Sequence, residues 1–147
     1  YISQKMKGHE LANLIGAILS AQGYTATISP PGPDGGVDIT ASKGHLGFQD
    51  PKLCVQVKSG NSSIGISTYN QLKGTMASIN ATHGLFVSWG GFKTTVQRAQ
   101  KQDIFQIKLW GPQEIMQNLF QTYSEIDPEM KSKIPLKQIW TITKDTE

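Results

Sequence analysis

Several residue types that define whole classes of protein are scarce in this sequence. There is one cysteine, Cys54, in 147 residues, which excludes an intramolecular disulfide framework and a multi-cysteine zinc site. No apolar run approaches the roughly 18–20 residues of a membrane-spanning helix, so we expect no membrane partner. The three histidines lack metal-ligand spacing, and no serine or cysteine nucleophile is paired in a way that indicates a catalytic triad.

Arginine is also scarce, since Arg98 is the only one and the positive charge is carried almost wholly by lysine. Arginine forks are the usual means of reading guanine edges, so a dense set of such contacts is not expected. The formal net charge is +3. This mildly basic balance permits a phosphate-rich partner without requiring one.

The residues that are present are typical of one globular domain. A chain of this length with 37% hydrophobic and 17% charged residues can bury a core without disulfides or metals. The chain begins at Tyr1 with no signal-peptide pattern. We therefore expect a cytoplasmic protein, either a processed chain or a piece of a larger parent protein with further domains.

Hydrophobic periodicity predicts nine elements in the order α-β-β-β-α-β-α-β-α. Helices are expected over residues 8–22, 67–80, 94–103 and 112–122, and strands over 24–28, 37–41, 52–58, 84–89 and 105–109. Hairpin spacing early and βαβ spacing later predict an α/β fold with a mixed central sheet flanked by helices on both faces. We expect one domain over residues 1–123, with 124–147 as a C-terminal extension or linker.

Two of the predicted helices carry clear apolar stripes. The first places five aliphatic residues on one face, namely Leu11, Leu14, Ile15, Ile18 and Leu19. The second places Tyr69, Leu72, Met76 and Ile79 together. The proline- and glycine-rich stretch over residues 30–36 predicts a rigid loop, in which Asp34 is most simply a turn residue.

Polar residues on two neighbouring predicted strands form the main chemical signal. Gln56 and Lys58 are two apart, so their side chains share a face, and Asp38 lies on the adjacent strand between two apolar residues expected to face the other way. Glu10 prolongs the apolar stripe of the first helix, so its carboxylate is expected to point towards the sheet. Oxygen ligands of this kind suit Mg²⁺, which takes one or two carboxylates plus substrate phosphate oxygens.

Each of these residues also has a purely structural interpretation. Lys58 could be a sheet-edge lysine paired with Asp38, and Gln56 a half-buried strand amide. Glu10 could complement the dipole of its helix. Cys54 shares the face of Gln56, but a lone strand cysteine is usually a small buried hydrophobe.

The ordered motifs resemble the PD-(D/E)xK nuclease core, and in particular the Mrr-like restriction endonuclease family. They are Gly8-His9-Glu10-Leu11, Pro33-Asp34-Gly35-Gly36-Val37-Asp38, Val55-Gln56-Val57-Lys58 and Gly84-Leu85-Phe86-Val87 with Gly90-Gly91-Phe92. The likeness covers about residues 8–122, with glutamine where many relatives carry an acid. It implies a restriction-endonuclease-like core.

The resemblance implies roles for five residues. Asp38 would ligate the metal, Gln56 would occupy the second ligand position, and the backbone carbonyl of Val57 would add a ligand. Lys58 would be the catalytic lysine and Glu10 an auxiliary acid. The implied cofactor is Mg²⁺, with Mn²⁺ as a possible substitute, and the neutral Gln56 makes metal affinity depend on bound phosphate.

The implied activity is Mg²⁺-dependent hydrolysis of phosphodiester bonds in double-stranded DNA by an endonuclease of a restriction or anti-phage defence protein, commonly a homodimer or higher oligomer. Ser59 follows the motif lysine where relatives often carry Arg or Tyr, a departure that concerns DNA contact. Lys73, Lys93 and Thr94 are further DNA-contact candidates, with Thr94 expected to cap its helix. Two alternatives stay open: a junction-resolving nuclease, or an inactive DNA-binding or assembly module of the same fold.

Overall fold

A computed structural model describes residues 2–30, 36–137 and 139–142. The interior of the predicted rigid loop, including Asp34, lies outside the described residues. The helices are α1 (Ile2–Lys5), α2 (His9–Ala21), α3 (Ile66–Ser78), α4 (Thr94–Gln102), α5 (Pro112–Thr122) and α6 (Pro128–Lys133), and a 3₁₀ turn covers Tyr123–Glu125. The strands are β1 (Thr25–Ile28), β2 (Ile39–Lys43), β3 (Gln49–Lys58), β4 (His83–Ser88) and β5 (Ile107–Trp110).

All nine predicted elements are present, and two short helices, α1 and α6, are additional. In the described part of the chain, none of the helices has the length and apolar character needed to cross a membrane. The main difference from the sequence prediction is the turn between β2 and β3, which is shorter because β2 ends at Lys43 and β3 begins at Gln49.

The five strands form one sheet in the order β1-β2-β3-β4-β5. Pairing is antiparallel from β1 to β3 and parallel from β3 to β5. The chain reverses through a tight turn between β2 and β3, whereas α3 and α4 carry it back before β4 and β5. Parallel neighbours require such crossovers, so the mixed sheet predicted from the spacing is confirmed.

Helices cover both faces of the sheet, as predicted. On one face the α2 stripe packs with α5 and with Val55 and Val87 of the sheet. On the other face α3 and α4 pack on Cys54 and Phe86. Every member of the predicted α2 stripe is buried. In α3 the stripe was predicted one residue too far, because the helix ends at Ser78 and Ile79 is 41% exposed.

The segment that follows α5 is part of the same core. Ile126, Met130 and Ile134 are buried in the cluster that contains α2. The hydroxyl of Tyr123 donates a hydrogen bond to the carbonyl oxygen of Ile134 at 2.6 Å, and Asp127 caps α6 by accepting from the backbone N–H of Met130 at 2.9 Å. Through Ile134, the predicted extension therefore packs as an arm on the domain.

Replacement of a buried residue in this arm tests its contribution to stability. We expect Ile134→Ala to lower the free energy of unfolding by about 2–4 kcal/mol, because it removes methyl groups from a packed core and leaves a cavity. Ile142→Ala should change it by less than about 0.5 kcal/mol, since Ile142 is 98% exposed. Urea denaturation followed by circular dichroism measures both, and equal stabilities for the two variants would contradict the packing.

Candidate active site

The end of β3 carries two of the predicted site residues on one face. Gln56 and Lys58 are two residues apart, so their side chains point to the same side. That side is the α3 face, because Cys54 lies fully buried among α3 residues. Gln56 is 6% exposed, whereas Lys58, the last residue of the strand, is exposed. The strand thus presents a buried amide followed by an accessible ammonium.

Asp38 lies immediately before β2 and is tied to β3 by backbone and side chain. Its N–H donates to the carbonyl oxygen of Val55 at 3.0 Å, and its Oδ2 accepts from the N–H of Val57 at 2.6 Å. The last β2–β3 pair is Ile39 with Val55. The Asp38 carboxylate therefore accepts the hydrogen bond that a backbone carbonyl would accept from Val57 if the β2–β3 pairing continued.

The predicted alternation around Asp38 is wrong. Val37 packs with the α3 cluster, whereas Ile39 is buried in the α2 cluster, so these two residues do not face the same way. The physical reason is that regular β2 pairing begins only at Ile39, and the strand rule of alternation does not apply before it.

The geometry of β3 also orients the Val57 carbonyl. The N–H and C=O of one strand residue point to the same lateral side of the strand. Since the N–H of Val57 meets the Asp38 carboxylate, its carbonyl points towards the same flank, beyond the last β2–β3 pair. A carboxylate and a backbone carbonyl therefore converge there, next to the strand position of Gln56.

The negative charge of Asp38 affects the pKa of the nearby Cys54 thiol. Burial, and after it the negative charge of the nearby Asp38 carboxylate, together raise the pKa of the Cys54 thiol from 9.0 to about 11. The thiol is free and fully buried. Cys54 is thus the small buried hydrophobe that its position in the strand indicated.

The Gln56 side chain lines a cleft of about 360 Å³ between β3 and α3. The other lining residues are Gly36, Gln71, Gly74, Thr75 and Ser78. Gly36 has φ of +86°, which favours glycine, and a Cβ there would lie 3.8 Å from Gln56 Nε2 and 3.6 Å from Thr75 Oγ1. The amide of Gln56 therefore faces both the Gly36 turn and α3.

Glu10 lies two residues after Gly8, whose backbone N–H donates to Ser59 Oγ, next to Lys58. It lies on α2, across the sheet from the face that carries Gln56, and its carboxylate is 46% exposed. Glu10 Oε2 lies 3.5 Å from Lys133 Nζ of α6. The arm after α5 therefore offers Glu10 an opposite charge, and its role as an auxiliary acid stays a prediction.

The loops after β3 and β4 pack side by side at the same end of the sheet as Lys58. Ile64 and Phe92 form a parallel bridge, in which Ile64 donates to the Gly91 carbonyl and accepts from Lys93. A Cβ on Gly90 would lie 2.3 Å from the Ser62 carbonyl oxygen, so only glycine allows this approach. Beside them, Ser59 Oγ accepts from the N–H of Gly8 at 2.7 Å.

Lys93 and Thr94 lie at the start of α4, and Thr94 is not in the capping position that was predicted for it. Lys93 occupies the N-cap position and Thr94 is the first helical residue, so Thr94 does not cap the helix. Neither Lys93 nor Gly65, the N-cap residue of α3, forms a side-chain capping bond. Lys93 Nζ lies 4.0 Å from the point where a Cβ on Gly65 would be, so one ammonium stands between two helix N-termini.

Lys73 has a partner inside the fold. Its Nζ lies 3.2 Å from Oδ2 of Asp103, at the end of α4. The same oxygen accepts a 2.6 Å hydrogen bond from the hydroxyl of Tyr69, which is fully buried. Burial first, and then the hydrogen bond to Asp103, raise the pKa of Tyr69 well above its ordinary value of 10.0. This network joins α3 to α4.

The cleft wall on α3 is the part of the site that sequence reasoning missed. Gln71, Thr75 and Ser78 recur at i, i+4 and i+7, which places polar residues on one helix face. This spacing is visible in the sequence beside the apolar stripe. What the sequence lacked was any indication that this polar face borders Gln56.

Similarity to solved structures defines the class of fold. The restriction endonuclease MspJI, solved in complex with a 27-mer oligonucleotide, aligns with a TM-score of 0.58 at 17% identity, covering 87% of this chain and 32% of MspJI. A protein of unknown function, AF1548, aligns with a TM-score of 0.58 at 13% identity, covering 84% of this chain and 74% of AF1548. The ATP-dependent Type ISP restriction-modification enzyme LlaBIII, solved bound to DNA, aligns with a TM-score of 0.54 at 16% identity, covering 92% of this chain and 9% of LlaBIII. The fold is thus that of restriction endonucleases.

The family follows from sequence. The profile of the restriction endonuclease family Mrr_cat matches residues 3–119, most of the chain, so this chain belongs to that family. No curated protein matches it in sequence. Family membership implies nuclease activity in a restriction system. The chain spans about a third of the length of MspJI.

The Tyr69–Asp103 bond predicts a pH dependence of stability. Because the folded-state pKa of Tyr69 is raised, its contribution is fully present below pH 10 and is lost as the pH rises above the unfolded value of 10.0. We expect a loss of up to about 1.4 kcal/mol per pH unit above this value. Urea titrations between pH 8 and about pH 11 measure it, and Tyr69→Phe should show a shallower decline. Equal slopes would contradict the prediction.

Proposed function

We propose that this chain is a divalent-metal-dependent endonuclease domain that hydrolyses phosphodiester bonds in double-stranded DNA, as the effector of a restriction or anti-phage defence protein. The observation that carries this proposal is the 2.6 Å bond between Asp38 and the N–H of Val57. It fixes a carboxylate at the flank of β3, at the strand position next to Lys58.

The donors at this flank fit a hard cation. Asp38 offers carboxylate oxygens, Val57 a backbone carbonyl and Gln56 an amide oxygen, and Mg²⁺ prefers oxygen ligands while keeping several waters. We propose that these three residues hold Mg²⁺, or Mn²⁺ in its place. A bound ion of this kind supplies a Lewis acid that lowers the pKa of a water and neutralises charge at phosphorus.

Lys58 contributes the second element of the chemistry. Its exposed ammonium, on the same face as Gln56, is suited to orient the attacking water and to stabilise negative charge that develops on the phosphate oxygens. The water oxygen forms a bond to phosphorus and gives up a proton to solvent, while the bond to the leaving sugar oxygen breaks and that sugar oxygen takes a proton from solvent. We retain Glu10 as an auxiliary acid, which acts only once it leaves Lys133.

Phosphate contacts are proposed at the end of the sheet that carries Lys58. Ser59, Lys93 and Thr94 lie in or beside the two packed loops, where α3 and α4 begin without side-chain caps. Backbone N–H groups and positive helix ends favour an anion there. Lys73 is the weaker candidate, because Asp103 already balances its charge.

The proposed context is a larger cytoplasmic protein. This chain covers 32% of MspJI and 9% of LlaBIII, and both are restriction enzymes solved with an oligonucleotide or DNA bound. Two sites acting together can cut both strands of a duplex in one binding event, so we propose that the domain works as a homodimer or higher oligomer.

Nicking of supercoiled plasmid DNA tests the proposal. Wild type should cut with Mg²⁺ or Mn²⁺ and not in EDTA. Asp38→Asn keeps an acceptor for the N–H of Val57 but removes the negative charge. We therefore expect it to lower the rate at least about 100-fold. Lys58→Ala should lose about 100-fold or more.

Lys52→Ala provides the matched control, since Lys52 is an exposed lysine at the opposite end of β3. It should cut at the wild-type rate. Full activity of both Asp38→Asn and Lys58→Ala would place the chemistry elsewhere. Binding without cutting of plain, modified or branched DNA would identify an inactive binding module, and cutting of branched DNA alone a junction-resolving enzyme.

Salt-dependent DNA binding tests the phosphate contact at Lys93. We expect Lys93→Ala to weaken binding equally for all sequences and to reduce the slope of log K against log salt by about 1. Fluorescence anisotropy in EDTA measures both quantities without cleavage. Lys108→Ala, an exposed lysine on β5, should leave the slope unchanged; a loss equal to that of Lys93→Ala would argue against a localised contact.

A further inference from the structure

The cleft beside Gln56 has a chemical character unlike that of the strand ends. Of the residues that line it in the described part of the chain, none is charged. Its α3 wall consists of Gln71, Gly74, Thr75 and Ser78, and α3 as a whole has one lysine and no acid. The wall therefore offers amide and hydroxyl groups without a carboxylate to repel DNA.

Uncharged groups of this kind suit the edges of bases. Phosphate oxygens are contacted by cations, polar side chains, backbone amides and helix N-termini, and Lys93 and the N-termini of α3 and α4 lie at the ends of β3 and β4. Glutamine, serine and threonine are side chains that read base edges in the major groove. The single arginine lies on α4, so the usual fork for guanine is not part of the cleft wall.

The hydroxyl groups on this wall are oriented as acceptors. Ser78 Oγ donates to the carbonyl oxygen of Thr75 at 3.0 Å, and Thr75 Oγ1 donates to that of Gln71 at 3.0 Å. With its proton donated to the helix, the Ser78 hydroxyl keeps lone pairs that can accept a further hydrogen bond. The Gln71 side chain, exposed one turn before Thr75, adds an amide with both a donor and an acceptor.

We propose that α3 is a base-reading helix, in which Gln71 and Ser78 recognise an exocyclic amino group of adenine or cytosine next to the cleaved phosphate. This inference rests on the proposed function for its substrate, DNA, and adds a sequence preference at the site of cutting. Gln71 pairs with an adenine or cytosine edge, and Ser78 accepts from the amino group.

Gly74 provides a variant that fills the cleft without disturbing the fold. A Cβ on Gly74 would meet no atom within 4 Å, and replacement of an exposed helical glycine improves helix propensity. Gly74→Leu therefore places an apolar side chain between Gln71 and Ser78. The matched control is Gln117→Leu, which adds an exposed leucine to α5 on the other face of the sheet.

A duplex library with a randomised central segment supplies two readouts from the same substrate. Sequencing of ends cut in Mg²⁺ should show a preference of about fivefold to tenfold for adenine or cytosine at one position beside the cut. Gln71→Ala, Ser78→Ala and Gly74→Leu should bring this preference close to one, whereas Gln117→Leu keeps it. An unchanged preference in Gln71→Ala and Gly74→Leu, or none in wild type, overturns the inference.

Selection of bound duplexes in EDTA separates this inference from the proposed nuclease activity. If the wild type does not cut, the proposed function fails. The base composition of the bound duplexes then tests on its own whether α3 recognises bases. Enrichment of adenine or cytosine that is lost in Gln71→Ala and kept in Gln117→Leu supports recognition by α3. A bound pool as random as the input overturns it.

Discussion

The candidate site depends on the hydrogen bond between the Asp38 carboxylate and the backbone N–H of Val57. β2 begins its regular pairing at Ile39, so β3 has a backbone donor beyond the last strand pair. An unpaired donor in this position would be unfavourable, and the carboxylate satisfies it. The same bond fixes the Asp38 carboxylate at the flank of β3. The hydrogen bond that satisfies the backbone of the sheet therefore also positions the proposed metal ligand.

The two faces of the sheet have different roles. The α2 face is closed by aliphatic packing, to which the arm after α5 adds Ile126, Met130 and Ile134. The α3 face combines a core around Tyr69 and Phe86 with the polar cleft beside Gln56. Stability and proposed substrate contact are therefore assigned largely to opposite faces, with Lys58 and the two packed loops at the shared end.

The sequence was most informative where one physical pattern dominates. The stripe of α2 and the alternation of β3 predicted burial correctly because both elements are regular over their length. Asp38, Thr94 and Ile79 were predicted less well, since each lies where an element begins or ends and where pairing or capping replaces periodicity. The ion pair of Glu10 was not anticipated for a different reason: its partner, Lys133, is more than a hundred residues away, and no local pattern shows such a contact.

The connection between β2 and β3 has a consequence for the order in which this molecule assembles. Asp38 and Val57 are 19 residues apart and meet within an antiparallel hairpin, whereas β3 and β4 pair across α3, as Leu53 with His83. Short loops lose less entropy on closing, and non-local pairings are the slower ones to form. The contact that sets the acid beside β3 thus belongs to the most local pairing of the sheet, and later packing of the helices needs only to cover a geometry that the hairpin already defines.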